Sequence, residues 1–461
     1  MSKLSHAQWS SKMAFILAAT GSAVGLGNIW RFSYMVGDSG GAAFVFVYLA
    51  CVALVGLPIL VAEWLIGRRG QENPINSMLD LARKSGRMPA WAVVGASGVL
   101  AAFLILSFYS VIGGWSLSYT LGSITGQFSG QDSDGIGALF SGLLANPTAL
   151  TLWHTAFMAL VIFIVARGVT NGLEGAVRTL MPALVILMVI LVIYGMTTGH
   201  FGEAMAFMFS PDWSAINGEV VLAAMGQAFF TLSLGMGIMM AYGSYLGEDV
   251  SLIGTARTVI IFDTVIALLA GMAIFPIVFA NGLSPGEGPG LIFVTLPLAF
   301  GNMAGGTILG LMFFLLLTFA ALTSAISLLE PTVELLEERT PLSRVAATLV
   351  AGVAVWALGI AALMSFNVWR ATSQRYLPRN PCGQSSLPAG LNIFDFLDTL
   401  TSKFMLPLTG LGAILFVAWC LERQSVASEL GLTGGKERLW HIVARYVAPI
   451  GVIVVFVTGL L

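Results

Sequence analysis

About eleven stretches of this chain are apolar over roughly twenty residues or more, the length an α-helix needs to cross the hydrocarbon of a bilayer. They run over 12–37, 42–67, 90–124, 150–168, 174–198, 219–246, 256–282, 302–336, 343–365, 394–421 and 440–461. Lipid offers the backbone no hydrogen bonds, and a helix satisfies its own N–H and C=O groups internally. The pattern therefore predicts an all-α polytopic membrane protein embedded in a lipid bilayer. Only 10% of the residues are charged, against about a quarter in soluble domains, and these charges gather between the apolar runs. A net charge of −2 excludes nucleic acid as a partner on electrostatic grounds.

The spans sort into segments. Residues 1–11 form a polar N-terminal tail without the short apolar core of a secretory signal, and so read as cytoplasmic. Spans 1–5 occupy 12–198, spans 6–10 occupy 219–421, and a further span covers 440–461. If the spans alternate, Lys3, Lys12, Arg68, Arg69, Arg83, Lys84, Arg87, Arg167, Arg178, Arg257, Arg339, Arg344, Arg423, Lys436, Arg438 and Arg445 share one side. The loops 125–149, 199–218 and 283–301 hold no Lys or Arg. The positive-inside rule then places the N-terminus in the cytoplasm and the C-terminus outside the plasma (inner) membrane. The exception is the insert 366–393, with Arg370, Arg375 and Arg379. Cys51 and Cys420 sit inside apolar runs and Cys382 reads as a lone external thiol, so no disulfide framework is expected. His6, His154, His200 and His441 are scattered, with no paired spacing for metal or acid–base work. An enzyme is not expected.

Span 1 carries "GSAVGLGNIWRF" from Gly21 to Phe32. Glycine costs a helix interior roughly 1 kcal/mol relative to alanine, and an arginine at membrane depth several. Span 6, five spans on, has a matching patch, "FTLSLGMG", from Phe230 to Gly237. Interrupted helices at corresponding places in two halves point to a transporter built on inverted repeats, with its site near the midplane. A break frees carbonyls for a cation and exposes a half-helix N-terminus that favours an anion. An amino acid offers both charges. The alternative is that the glycines only let helices pack closely. A nucleotide loop is excluded, since no strand precedes the glycines and no Lys-Ser/Thr follows them.

"GSAVGLGNIWRF" together with "GQAFFTLSLGMG" resembles the neurotransmitter:sodium symporter family, in its bacterial amino-acid transporter branch, over Trp9 to about Leu421. The resemblance implies a five-plus-five inverted repeat with broken helices 1 and 6, and sodium ions bound at two sites. For the first it implies Ala23, Asn28 and Thr231, with Asp263 where relatives usually have Asn. A fixed carboxylate there would supply the negative charge that chloride brings in other members, so chloride independence is expected. An ionisable residue within a span is functional by default; the alternative is a protonated Asp263 serving as a helix hydrogen-bond partner. For the second site the resemblance implies Gly21, Val24, Ala320, Thr323 and Ser324. The last three stand at i, i+3 and i+4 on one helix face, a pattern that by itself also suits interhelical hydrogen bonds.

For the substrate it implies Ala23, Leu26, Gly27 and Tyr109 at the carboxylate, and Phe230, Thr231 and Ser233 at the ammonium. Ile105, Met236, Ser324 and Leu328 complete the lining. That lining has no charged side chain, which suits a hydrophobic L-amino acid, aliphatic or aromatic. Met236 supplies a flexible wall or simple core packing. Arg31 with Asp398 would form the outer gate, Asp395 lying one turn earlier. Trp9 and Glu338 match the inner gate, where His6 stands in place of the family's arginine, with Lys3 nearby. Glu63 and Glu330 read as structural hydrogen-bond partners. Gly172 and Pro182 frame span 5 with nine residues between them; Pro removes a helix hydrogen bond, so this stretch would unwind to admit water inward, or form a static kink. Sodium-coupled import by alternating access follows. A proton-coupled carrier using Asp263 or Glu63, and an amino-acid sensor without flux, remain as alternatives.

Overall fold

A computed structural model describes residues 8–286, 290–369 and 392–458. His6 and Lys3 lie outside the described residues, as do Cys382 and most of the 366–393 insert with its three arginines. Every regular element described is helical. In chain order these are α1 (Lys12–Ala23), α2 (Gly27–Asp38), α3 (Ala42–Gly70), α4 (Pro74–Lys84), α5 (Pro89–Ile124), α6 (Ser133–Ala145), α7 (Pro147–Ala166) and α8 (Val169–Thr197). They continue with α9 (Phe201–Phe209), α10 (Gly218–Thr231), α11 (Ile238–Ser244), α12 (Leu252–Ala280), α13 (Leu291–Asn302), α14 (Gly306–Arg339), α15 (Arg344–Met364), α16 (Ile393–Cys420), α17 (Arg423–Glu429) and α18 (Gly434–Val457).

Nine of these helices are individually long and apolar enough to span a membrane, and α1 with α2 forms a tenth span bent by 49°. The pair α10 and α11, separated by residues 232–237, accounts for the eleventh expected span. Local chemistry fixes both breaks. Ser11 caps α1 by accepting from Ala14 N at 3.1 Å, and the helix stops where Val24 turns to extended backbone. Asn217 caps α10 from Val220 N at 2.9 Å. After Thr231, Ser233 (φ 53°), Gly235 (φ 74°) and Gly237 (φ 69°) all take the left-handed region, which no continuous right-handed helix accommodates. At Gly235 the requirement is also spatial, because a Cβ there would run into the backbone of Leu406.

The structure adds helices where the sequence reads as loops. α4, α6, α9 and α13 are too short for a twenty-residue apolar run, and α4 and α6 start at caps on Asn73 and Asp132. The span expected from 256 begins at Leu252, where Ser251 caps it, and the last span begins at Gly434 instead of 440. The long helices α5 and α14 pack along each other, and α1 lies against α12 and α14. The breaks of both discontinuous spans are thereby enclosed.

Candidate functional site

The two breaks meet. Ser233, in the second, donates from Oγ to the Ser22 carbonyl at 3.0 Å, and Ser324 of α14 donates to the same oxygen at 3.0 Å. Gln227 of α10 donates to the Gly27 carbonyl at 2.7 Å. The Ser22 carbonyl at the end of α1 and the Gly27 carbonyl at the start of α2 are therefore each met by side chains across the break, as a buried backbone requires. Gly25 lies within this crossing. A Cβ on it would clash with Ser324 Oγ and come within 2.9 Å of the Tyr109 hydroxyl, so only glycine lets the break sit this deep.

A buried polar cluster occupies one side of the break. Asn28 accepts from the Gly25 N–H at 3.0 Å and donates through Nδ2 to Asp263 Oδ1 at 2.7 Å. Thr231 donates to Asp263 Oδ1 and Oδ2 at 3.1 and 3.2 Å, and the Tyr48 hydroxyl lies 3.5 Å from Oδ2. Asn28, Thr231 and Asp263 are each completely buried. The carboxylate is thus held by the Asn28 amide N–H and the Thr231 hydroxyl, and carboxylate, hydroxyl and amide oxygens are the hard donors that a small cation takes. Ala23 closes α1 beside it, and its carbonyl belongs to the same stretch.

The other side faces α14. Thr323 donates from Oγ1 to the Ala320 carbonyl at 3.0 Å and reaches the Val24 carbonyl at 3.4 Å. Val24, Ala320, Thr323 and Ser324 are thus brought together, all through oxygens. Gly21 packs against α8, where a Cβ on it would come within 3.2–3.3 Å of the Val177 and Met181 side chains. That ties the end of α1 to the residue preceding Pro182.

Between these clusters lies a narrow cavity walled by Ala23, Gly27, Ile105, Tyr109, Phe230, Ser233, Met236, Ser324 and Leu328, together with Ser22 and Gly25. The Tyr109 hydroxyl is 3.2 Å from the Leu26 N–H, which donates to it. Thr231 is turned away towards Asp263 instead of lining the space. At about 20 Å³ the cavity has room for roughly one water. An amino-acid side chain therefore enters only if Phe230, Met236 or Leu328 repacks.

The expected gates have a different geometry. Among the described residues Arg31 and Asp398 form no direct ion pair. The Arg31 guanidinium lies over the Phe230 ring, 4.6 Å from its centroid, and Nη1 is buried with no hydrogen-bond partner. A cation over an aromatic face is attractive in its own right, so here Arg31 clamps the cavity wall. The Asp398 carboxylate has Ser402 Oγ of its own helix 3.5 Å from Oδ1, the same hydroxyl donating to the Asp398 backbone carbonyl at 2.5 Å. On the opposite side Trp9 donates from Nε1 to the Tyr242 carbonyl at 3.2 Å and packs on Tyr242 and Tyr245. Glu338 does not meet Trp9, because its carboxylate accepts from the N–H and side chain of Asn73 and from Asn76 at the start of α4. The carboxylate deeper on that side is Glu330, paired with Arg344 at 2.5 Å and accepting from Tyr245 at 2.8 Å. Glu63 accepts from the Gly235 N–H at 2.8 Å and so steadies the second break.

α8 opens with a wide turn over Val169–Glu174 that contains Gly172, and Pro182 lies inside the helix. Glu174 is 2% exposed and accepts from the Ser10 N–H at 3.2 Å, from Ser10 Oγ and from Arg178. This clasp of the tail onto α8 was not legible in the sequence. Nor were Tyr48, Gln227 and Ser22. The polar Gln227, one turn before Thr231 in an apolar run, was the available signal.

Two discontinuous spans with breaks that cross inside a helical bundle, flanked by buried oxygens and an apolar cavity, define the broken-helix class of membrane transporters. The chain belongs to the sodium:neurotransmitter symporter family, whose model matches residues 6–135 and 139–371. It is 36% identical to the uncharacterized sodium-dependent transporter YhdH of Bacillus subtilis, over 99% of this chain and 98% of that protein. An uncharacterized sodium-dependent transporter of Haemophilus influenzae is 32% identical over 98% of each chain. Among solved structures, the crystal structure of MhsT in complex with L-phenylalanine superposes with a TM-score of 0.88 at 46% identity, covering 98% of this chain and 99% of that one. The chain is thus an integral membrane protein and a sodium-dependent transporter, not an enzyme.

Proposed function

We propose that this protein is a symporter that imports hydrophobic L-amino acids, aliphatic or aromatic, on two co-transported sodium ions and without chloride. The observation that carries this reading is the crossing of the two breaks. It sets the Asn28–Thr231–Asp263 cluster on one side of an apolar cavity and the Val24–Ala320–Thr323–Ser324 oxygens on the other.

The first sodium is held by the Ala23 carbonyl, Asn28, Thr231 and Asp263, and the second by Gly21, Val24, Ala320, Thr323 and Ser324. The substrate carboxylate lies against Ala23, Leu26, Gly27 and Tyr109, and its ammonium against carbonyls near Phe230, Thr231 and Ser233. The side chain fits among Ile105, Phe230, Met236, Ser324 and Leu328, where no charged group would meet it. That MhsT is seen with L-phenylalanine supports an apolar side chain of that size, and the thioether of Met236 suits several shapes. Asp263 supplies a fixed negative charge beside the first ion, which removes the need for an anion from solution. Because the substrate carboxylate completes the first sodium site, each raises the other's affinity.

Alternating access follows the two inverted halves, 12–198 and 219–421, with 440–461 outside the repeat. The N-terminal tail 1–11 is cytoplasmic and the C-terminus external, in keeping with lysine and arginine placement. Arg31 on Phe230, with Asp398 as its counter-ion when the outside closes, forms the outer gate. Trp9 and Glu338, which are not in contact in this conformation, mark the inner one, and unwinding between Gly172 and Pro182 opens the second sodium site inward.

Uptake of radiolabelled leucine, tryptophan and phenylalanine into proteoliposomes tests this, with sodium, potassium or proton gradients in turn and with chloride present or replaced by gluconate. Accumulation under a sodium gradient alone, indifferent to chloride, is expected. Accumulation under a proton gradient alone would shift the role of Asp263 or Glu63 to proton carriage. Binding without flux would make the protein a sensor.

A further inference from the structure

A second cavity, larger than the one between the breaks, lies apart from it. It measures about 230 Å³ and lies between α2, α10, α16 and α18. Its walls are apolar, with Leu222, Met225, Phe404 and Phe456 prominent, and its charged residues are Arg31, Lys403 and Glu219. Two cations against one carboxylate leave the lining net positive. Arg31 brings to it a guanidinium whose Nη1 has no acceptor among the described residues. A buried donor of this kind is costly unless an acceptor arrives.

The surroundings say where an occupant comes from. Next in sequence to the lining residues Pro407, Val455 and Phe456, Leu408 (47% exposed), Val454 (52%) and Val457 (47%) are apolar and exposed. In a chain embedded in a bilayer these meet lipid, so the cavity adjoins the hydrocarbon. Size narrows the choice further. A dry apolar cavity of about 150 Å³ accommodates benzene, so about 230 Å³ suits one short hydrocarbon chain better than the two chains of a phospholipid.

We propose that this cavity binds a single-chain carboxylate amphiphile, a fatty acid entering from the bilayer, with its carboxylate at Arg31 and Lys403 and its chain among Leu222, Met225, Phe404 and Phe456. The consequence concerns the neighbouring site. Arg31 also lies over the ring of Phe230, which walls the cavity between the breaks. An anion held by this guanidinium competes for the group that clamps Phe230. The bound amphiphile slows uptake by lowering its maximal rate, without competing for the substrate cavity.

The test uses the full chain in phosphatidylcholine proteoliposomes with a twelve-carbon fatty acid carrying a photoreactive diazirine, followed by peptide mapping. Label is expected on 219–226, 402–407 and 455–456, displaced by dodecanoate and not by dodecanol. Lys403→Gln removes a charge-assisted contact and is expected to cut labelling about tenfold. Ala223→Phe fills the cavity, and is expected to abolish labelling and the inhibition of uptake by dodecanoate while sodium-driven uptake persists. If Ala223→Phe fails to fold, Lys403→Gln and the dodecanol arm decide. Equal displacement by dodecanol would overturn the carboxylate reading. Equal labelling by a diacyl photolipid would overturn the single-chain reading, and label spread over lipid-facing helices would overturn the site. Labelling needs no transport, so absent sodium-driven uptake would count against the symporter reading and leave this one intact.

Discussion

The side-chain amide of Asn28 donates to the carboxylate of Asp263 at 2.7 Å and to its backbone carbonyl at 3.2 Å, joining the first broken span to a helix more than two hundred residues later. The same amide's oxygen accepts from the Gly25 N–H at 3.0 Å. Asn28 therefore organises the break and orients the carboxylate at once. Removing it leaves a buried carboxylate short of a donor, a loss of about 1.5–3 kcal/mol for a hydrogen bond to a charged group. Asn28→Ala is expected to weaken apparent sodium affinity and amino-acid binding together, each by about tenfold or more. Scintillation proximity binding with a sodium titration measures both. Unchanged sodium affinity with normal uptake would remove Asn28 from the ion site.

Asp263 bears on chloride. Replacing it by Asn keeps the shape and most hydrogen bonds with Asn28 and Thr231 but deletes the fixed charge beside the proposed first sodium. Asp263→Asn is expected to lose most uptake in gluconate medium and to recover part of it with chloride, while the parent protein is indifferent. Recovery equal in both media would mean that the negative charge plays no part.

Glycine at 25 is a spatial demand. An alanine there would press on Ser324 Oγ and Tyr109 OH, both on long helices that pack against each other and cannot retreat independently. Overpacking of this kind costs typically about 1–3 kcal/mol. Gly25→Ala is expected to reach the membrane folded, with substrate affinity down about tenfold or more. Thermal unfolding monitored with tryptophan fluorescence separates this from global failure: a shift of several degrees with binding retained would show that the crossing tolerates a methyl group.

How much of this was legible beforehand depends on contrast. Asn28, Thr231 and Asp263 stand out because a polar residue in an apolar run has to be explained, and the glycines of both breaks stand out because they cluster beside polar residues at corresponding places in spans 1 and 6. Tyr48 and Ser22 carry no such contrast, since a tyrosine or serine fits any membrane helix. Their roles depend on which helix lies opposite, which span order alone does not specify. The short helices α4, α6, α9 and α13 escaped because a twenty-residue apolar criterion is blind to them. Arg31 and Asp398 were matched as a pair by resemblance, yet in this conformation the nearer partner of Arg31 is the face of Phe230. A match of residue types along a sequence carries no distance, so it does not say which side chain meets which in a given conformation.

The clasp at Glu174 gives the N-terminal tail a specific hold on α8. The carboxylate is buried and accepts two hydrogen bonds from Ser10, and Arg178 reaches both it and Ser10 Oγ, the latter at 2.8 Å. It sits at the end of the wide turn Val169–Glu174, ahead of Pro182, where the helix lacks a full set of backbone hydrogen bonds. Loosening the tail and loosening this turn should therefore be one event. Glu174→Gln keeps the shape but replaces charge-assisted bonds by neutral ones of roughly half the strength. Hydrogen exchange of the variant is expected to rise in 8–23 and 169–182 together, with α5 and α14 unchanged. Exchange that rises in the tail alone would uncouple it from α8, and a rise across all helices would make Glu174 a general stability residue.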